Sequence, residues 1–295
     1  MRDDEQTSED LHVFETPDEA FQYIRLSGTL PDDDINIGET ALALGLLFLP
    51  GVRPERYRHH LRKLGELLAE DHMLRLKQGE TDSPALRLAC LRRVLHDQQG
   101  YAGDTERYDD LQNANLIRVI ERRKGLPVAI GILYIAAARA CGWHIEGLNF
   151  PGHFLVRLEM DGERLIVDPF RSGAEMDAAA LRGLLKSIAG SKAELSHQFY
   201  LPVSNREILI RLENNLKKRL IEQEEYAQAV IVLEAMEALA PDEYRTLFDK
   251  GVLYAKLGQR RQAAQAIESY IARAPDARDR QQAQGILQQI MMLPD

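Results

Sequence analysis

A histidine and an aspartate in the middle of the chain have the spacing of a catalytic pair. His153 lies in the segment Phe-Pro-Gly-His-Phe, and Asp168 lies in the segment Val-Asp-Pro-Phe. The dipeptide Asp161-Gly162 between them is a strong signal for a two-residue hairpin turn. Counting back from that turn pairs Leu155 with Asp168, and because side chains alternate along a strand, His153 shares a face with Leu155. The pattern therefore predicts a hydrogen bond between His153 and Asp168 on one face of an antiparallel sheet.

A histidine oriented by a carboxylate is the base half of a nucleophilic triad. The third member should be a serine, cysteine or threonine near the start of a helix, and the sequence offers none close to this motif. Cys141 is predicted at the C-terminal end of a helix, where the helix dipole disfavours a thiolate, and Cys90 lies among leucines. Both are interpreted as inert buried thiols. The pair is predicted either to be a structural hydrogen bond or to orient a ligand.

Composition limits the class of protein. The chain has 295 residues, of which 45% are hydrophobic, enough for one large or two modest domains with a real core. Its two cysteines make no disulfide framework, its first residues do not resemble a signal peptide, and no apolar run is long enough to span a bilayer. These features predict a cytoplasmic protein with no membrane partner.

The acidic side chains are concentrated at the start of the chain. Residues 1–34 hold eleven acidic and two basic side chains, which account for the whole net charge of −9. Because the remainder is neutral overall, no basic face is expected to attract nucleic acid. Residues 1–15 are expected to form a solvated, flexible acidic segment.

The elements that must position the pair are mostly helices. A capping box at Thr16-Pro17-Asp18-Glu19 predicts the first helix start. The helical stretch at 127–141 is apolar nearly all the way round, which is typical of a helix buried in the middle of a domain. Helices followed by a small antiparallel sheet predict an α+β domain. Further helices are predicted over 38–48, 53–77, 84–96, 113–124 and 177–188, and strands over 144–149, 153–159 and 164–168.

The last third of the chain contains an internal repeat. Ala229 and Ala263 lie 34 residues apart, and so do Pro241 and Pro275. This period and the flanking residues are typical of a tetratricopeptide repeat. The repeat predicts helix pairs at 206–222 with 226–238 and at 244–257 with 260–273, followed by a capping helix at 277–291.

Several motifs together resemble a known family. The core of transglutaminase-like domains is similar to the segments Gly125-Leu126-Pro127, Arg139 to Gly142, His153-Phe and Asp168-Pro-Phe. With tetratricopeptide repeats following that core, the chain resembles the bacterial SirB-type family. The resemblance implies an α+β, papain-like core at 16–200 with a small antiparallel sheet, and an all-α repeat module at 201–295.

The resemblance also assigns roles to residues. Active members of the superfamily use a Cys-His-Asp triad for acyl transfer or amide hydrolysis. His153 matches the family's histidine, Asp168 matches its aspartate, and the position of the nucleophilic cysteine falls on Pro127. The resemblance therefore implies a degenerate pair that lacks its nucleophile.

Two further groups of residues are candidates for binding. Asn113, Asn115 and Arg123 are predicted to line a pocket beside His153 and Asp168, with helix caps and surface charge as the alternative. Arg211, Asn214 and Lys218 fall on one helical face, at positions that in such repeats face the concave groove, and Arg245 of the second copy is grouped with them. A polar, basic groove suits an acidic or carboxylate-ending peptide. The alternative is an ordinary solvated face, which is also the expectation for His59 and His60.

The leading hypothesis is a non-catalytic binding or regulatory protein, built on a degenerate transglutaminase-like core, with the repeats as the surface for another protein or peptide. The alternative is a hydrolase or acyl-transfer enzyme that uses His153 and Asp168 with an unidentified nucleophile. No cofactor is expected. No metal is expected either, because the spacing of His144, His153 and Asp168 is not diagnostic of a metal site.

Overall fold

The computed structural model describes residues 13–292, so most of the predicted acidic segment at 1–15 lies outside the described residues. Helix α1 (Pro17–Ser27) begins with the predicted capping box, in which Thr16 and Glu19 satisfy each other's backbone N–H groups. Helices α2 (Ile37–Leu46) and α3 (Glu55–Lys77) follow, close to their predicted bounds.

The next predicted helices are shorter than expected. Helix α4 (Pro84–Arg92) continues as a π-helical turn over Arg93–Gln98. After the short strand β1 (Ala102–Gly103), helix α5 (Leu116–Arg122) starts late because Asn115 is its N-cap, and it ends where Arg123 adopts a left-handed backbone with φ of 59°. Strand β2 (Lys124–Gly125) then pairs in parallel with β1 and leads into the central helix.

Helix α6 (Pro127–Ala140) is the centre of the core, as its all-round apolar sequence predicts. Nearly all of its side chains are buried, and it packs against α2, α3 and the following strand β3 (His144–Leu148). Burying each large aliphatic side chain contributes roughly 1.5–3 kcal/mol. The start of α6 is therefore fixed in place by the most extensive packing of the domain.

The sheet has the predicted hairpin. Strands β4 (Val156–Met160) and β5 (Glu163–Asp168) pair antiparallel with Met160 opposite Glu163 and Val156 opposite Val167. That register places Leu155 opposite Asp168, as predicted. The strand predicted over 153–159 begins only at Val156, so His153 lies in the turn before β4 and not in the strand. The short strands β6 (Ala174–Glu175) and β7 (Pro202–Val203) complete a five-stranded order β6-β5-β4-β3-β7.

The helices after the sheet agree with the predicted bounds to within one or two residues. Helix α7 (Ala178–Ala189) packs beside the sheet. The region predicted to form the repeat module holds α8 (Asn205–Glu222), α9 (Tyr226–Leu239), α10 (Arg245–Lys256), α11 (Arg260–Arg273) and α12 (Ala277–Met292). Ala263 is fully buried, whereas Tyr254 is half-buried and donates its hydroxyl to Glu234 at 3.0 Å.

The repeat module is packed onto the first part of the chain. Helix α8 contacts α2 and α6, and its Leu209 and Leu212 belong to the same apolar core as α6. Helix α9 contacts α1 so closely at Gly28 that any added Cβ would overlap the carbonyl oxygen of Ala238. Within residues 13–292, no helix is both long and apolar enough to cross a lipid bilayer.

Candidate functional site

The predicted pair is formed. The Nε2 atom of His153 donates to Oδ1 of Asp168 at 2.9 Å. The Asp168 side chain is 0% exposed and that of His153 is 11% exposed. The donor is assigned to Nε2 because a carboxylate oxygen accepts hydrogen bonds, which leaves Nδ1 of the imidazole outside this bond. This tautomer is the one that a general base requires.

Asp168 also holds the turn that follows it. Its Oδ1 accepts from the backbone N–H of Phe170 at 3.1 Å and of Arg171 at 3.4 Å, which caps the short 3₁₀ turn at Pro169–Arg171. Its Oδ2 accepts no hydrogen bond and faces the Arg171 guanidinium, with Nε at 3.6 Å. The aspartate therefore has a structural role in addition to its contact with His153.

Phe170 connects the pair to the strand that leads into α6. Its ring meets the His153 ring edge to face at 5.9 Å, and it meets Tyr108 in the same geometry at 5.9 Å. The Phe170 ring lies directly on Gly103, where any Cβ would overlap it. Gly103 pairs with Gly125, and α6 starts two residues after Gly125. The aromatic cluster of Tyr108, Phe170 and His153 thus lies next to the entry of α6.

The start of α6 carries no nucleophile. Pro127, Val128 and Ala129 occupy its first turn, and all three are buried. Cys141 caps the other end of this 14-residue helix, about 20 Å away at a rise of 1.5 Å per residue. Burial raises the pKa of the Cys141 thiol, and burial together with Asp71 raises that of Cys90 to about 12. Within residues 13–292, the imidazole and carboxylate of the pair are therefore present, and neither cysteine lies beside them.

Arg211 does not have its predicted environment. Its Nη2 donates to the carbonyl oxygens of Phe150 at 3.1 Å and of His153 at 2.8 Å, and its guanidinium lies 5.5 Å from the centre of the Phe154 ring. The expectation of a solvated groove position is wrong here, because this side chain packs on the loop that carries His153. Sequence periodicity gives no signal for such a contact, since the partners lie about 60 residues away.

The same face of α8 makes a second contact near the pair. Arg219 donates through Nη2 to the carbonyl oxygen of Tyr108 at 3.1 Å and lies over the Tyr108 ring at 5.6 Å. Asn215 lies between the two arginines, donating to the Arg211 carbonyl and accepting from Arg219. The first repeat helix therefore reaches the His153 loop and the aromatic cluster through one face.

The other predicted partner-binding residues remain on the surface. Asn214 and Lys218 are exposed, and Lys218 lies 3.8 Å from Glu222. Arg245 is exposed and is bound by the carboxylate of Glu243. The structure thus separates Arg211 from the three residues with which it was grouped.

The two predicted pocket asparagines are used inside the fold. Asn113 donates to the carbonyl oxygen of Arg107 at 2.6 Å and accepts from Arg122 at 2.9 Å. Asn115 caps α5 through Oδ1 and donates to the carbonyl oxygen of Gly45 at 2.9 Å. Both side chains are buried, so the structure gives them the capping and packing roles that were the alternative to ligand binding.

Arg123 also lies in a separate cluster. Its Nη1 donates to Nε2 of His60 at 2.8 Å and contacts the hydroxyl of Tyr101. The expectation that His60 lies on a solvated face is wrong, because it is half-buried, whereas His59 is exposed. Burial and the nearby Arg123 lower the pKa of His60 to about 4, so its ring is neutral and can accept from Arg123 at neutral pH.

His144 is not part of the site. It pairs with Glu159 on β4, whereas the register puts Asp168 opposite Leu155, about 13 Å further along that strand. His144, Glu146 and Glu159 have ligand atoms within 4.8 Å of one another, the one such group found in residues 13–292. Arg157 already binds Glu146 at 2.5 Å, and Arg164 binds Glu159 at 2.9 Å. These guanidinium groups compete with a cation, so the cluster is a poor metal site.

Two family models match successive parts of the chain. One, described as the transglutaminase-like superfamily, matches residues 55–214, and one described as a tetratricopeptide repeat matches residues 216–288. A UPF0162 protein of Xylella fastidiosa is 29% identical over 262 residues, which cover 88% of this chain and 91% of the relative. A UPF0162 protein of Vibrio cholerae is 30% identical over 245 residues, covering 83% and 88%. Protein SirB1 of Salmonella typhimurium is 24% identical over 217 residues, covering 73% and 78%.

Proposed function

This chain belongs to the transglutaminase-like superfamily, and we propose that it is a non-catalytic binding protein of that superfamily, acting in the cytoplasm. The proposal rests on the first turn of α6, which holds Pro127, Val128 and Ala129 and no thiol, and on the resemblance, which puts the family's cysteine position at Pro127. Acyl transfer by this constellation needs a thiolate beside the imidazole. The proposal divides the chain into a core at 16–200 and a repeat module at 201–295.

Proline at position 127 lacks a backbone N–H as well as a thiol. A cysteine at the start of a helix supplies its own backbone N–H to the developing oxyanion, and proline has no N–H. Loss of one such donor lowers kcat by about 10²–10³-fold in a well-studied protease. Because Pro127→Cys returns the thiol and this N–H together, acyl-transfer activity gained in that variant would show that the two losses at Pro127 are what make the protein non-catalytic.

Thiol labelling tests whether the folded protein has a reactive cysteine. The folded protein is treated at pH 7 with a cysteine-directed acylating probe, and the modified residues are mapped by mass spectrometry, with the urea-unfolded chain as the positive control. Because burial raises the pKa of both thiols, we expect slow labelling of the folded chain and fast labelling of the unfolded one. Fast labelling of folded Cys141 that disappears in Cys141→Ser would overturn the proposal.

We propose that the repeat module binds another protein or peptide and that neither nucleic acid nor a membrane is its target. Support comes from the exposed Asn214, Lys218 and Arg245 on α8 and α10, whose polar and basic character suits an acidic segment. The double variant Lys218→Glu, Arg245→Glu should lose proteins that cross-link to the tagged wild-type chain in cells. Lys192→Glu, an exposed lysine outside the module, is the matched control. Identical cross-linked proteins in all three chains would contradict this surface assignment.

One observation favours an alternative function. His153 has the tautomer of a general base, so it could activate water directly and make the protein an amide hydrolase without a covalent intermediate. This alternative is tested with a mixture of peptide anilides and with His153→Ala as the control. Hydrolysis by the wild type that is absent in His153→Ala would establish it, and equal background rates would exclude it for these substrates.

A further inference from the structure

The strongest unassigned feature is the contact between Arg211 of the first repeat helix and the loop that carries His153. One guanidinium nitrogen of Arg211 binds both the Phe150 and the His153 carbonyl oxygens. We propose that Arg211 is a positioning residue, through which helix α8 sets the geometry of the His153–Asp168 pair. The proposal is independent of whether the pair binds a ligand or does chemistry.

The loop is short and is anchored at both ends. The Pro151-Gly152 turn separates the two carbonyl groups that Arg211 binds, with Gly152 at a φ of 67°. Phe154, which follows His153, is buried against α6 at Gly131, where any added Cβ would overlap the Phe154 ring. The backbone of His153 is thus fixed by Arg211 and Phe154, while its imidazole is fixed by Asp168.

Loss of Arg211 would leave these carbonyl groups without their charged donor. Hydrogen bonds from a charged donor are about twice as strong as neutral ones, so the loop would lose its strongest polar contact. The imidazole would then have to keep its 2.9 Å bond to Asp168 from a less fixed backbone. Substitution of Arg211 is therefore expected to weaken the hydrogen bond between His153 and Asp168.

A second path on the same helix face strengthens the coupling. Arg219 lies on Tyr108, Tyr108 meets Phe170, and Phe170 meets His153. Arg211 and Arg219 are joined through Asn215, so a shift of α8 moves both contacts together. Because coupling between two sites is reciprocal, a change at Asp168 must in turn be felt at Arg211.

The test uses the full chain and long-range ¹H–¹⁵N NMR of the His153 ring. In Arg211→Gln we expect exchange of the His153 Nε2 proton to accelerate about tenfold, roughly the effect of losing one net hydrogen bond. Arg211→Lys retains the charge but not the planar guanidinium, so it should fall between Arg211→Gln and the wild type. Lys218→Gln removes an exposed charge from the same helix and should leave the His153 signals unchanged.

A structural contact without positioning would give a different result. If Arg211→Gln and Arg211→Lys lower only the melting temperature and leave the His153 ring shifts and proton exchange unchanged, the proposal is overturned. If Arg211→Gln does not fold, Asp168→Asn decides the question in a chain that retains Arg211. We expect that variant to shift the Arg211 side-chain resonance, and an unchanged resonance would overturn the proposal.

Discussion

Two carboxylates are buried at comparable depth in different parts of the molecule, and their surroundings are opposite. Asp168, at the end of β5, is 0% exposed, and its Oδ1 accepts from an imidazole and two backbone N–H groups. Glu213, in the middle of α8, is 2% exposed, and its Oε2 accepts no hydrogen bond. Burial raises the pKa of Glu213 to about 8. The two side chains therefore differ in the number of donors that they meet and not in depth, and Glu213 has no donor at Oε2 to offset its desolvation.

The largest effect expected from this contrast is a pH dependence caused by Glu213. Folded Glu213 keeps its proton to about pH 8, whereas the unfolded chain releases it near pH 4.5. Between these values the native state binds more protons, so its free energy of unfolding falls as pH rises. The contribution is on the order of 5 kcal/mol over the whole window.

Urea unfolding of Glu213→Gln between pH 5 and pH 8 measures this contribution. The variant should lose most of the decline in stability that the wild type shows over this range. Glu222→Gln, exposed on the same helix, is the control and should retain the wild-type slope. Parallel slopes in Glu213→Gln and the wild type would show that Glu213 finds a charged or polar partner in solution.

The next largest effect is expected at the other carboxylate. Asp168→Ala removes the acceptor of three hydrogen bonds and should cost about 1–3 kcal/mol in total, since water can reach some of the donors that it leaves unpaired. Asp168→Asn keeps an acceptor oxygen and should cost less than Asp168→Ala. Thermal unfolding of both variants gives the order, and an unchanged melting temperature for Asp168→Ala would mean that water replaces the carboxylate.

The smallest effect is expected at an ion pair that water can reach. Lys217 of α8 binds Asp249 of α10 at 2.6 Å, with side chains 15% and 43% exposed. A double-mutant cycle with Lys217→Ala and Asp249→Ala should give a coupling of about 0.2–1 kcal/mol, reduced by added salt. A coupling above that range would mean that this pair behaves like a buried ion pair, which would narrow the contrast with Glu213.

The sequence predicts the strand half of the site well because the information is local. Asp161 and Gly162 both have positive φ, 51° and 84°, which is the turn that Asp-Gly favours. Once that turn is placed, alternation fixes the face of Leu155 and Asp168, and His153 reaches the same face from the loop before β4. The helix bounds of the repeat module follow equally directly from the 34-residue period.

The errors concern side chains whose partners are distant in sequence. Helical periodicity places Arg211 and Lys218 on one face of α8. It carries no information about the loop, about 60 residues earlier in the chain, that covers Arg211 and leaves Lys218 exposed. The amide side chain of Asn115 could bind a ligand or cap a helix, and the sequence does not distinguish the two roles. In the structure it caps α5. The sequence gives no signal that Glu213 is buried, because a glutamate in a helical pattern normally faces water.

The close packing of α1 on α9 has a consequence for the order in which the chain is made. Gly28 and Ala238 are about 210 positions apart, so at roughly 5–20 residues per second a ribosome needs about 10–40 s to supply the partner of the first helix. During that interval, the face of α1 that packs against α9 in the complete protein is not yet in contact with α9. Newly made α1 is therefore a surface that a folding chaperone can hold until the repeat module emerges.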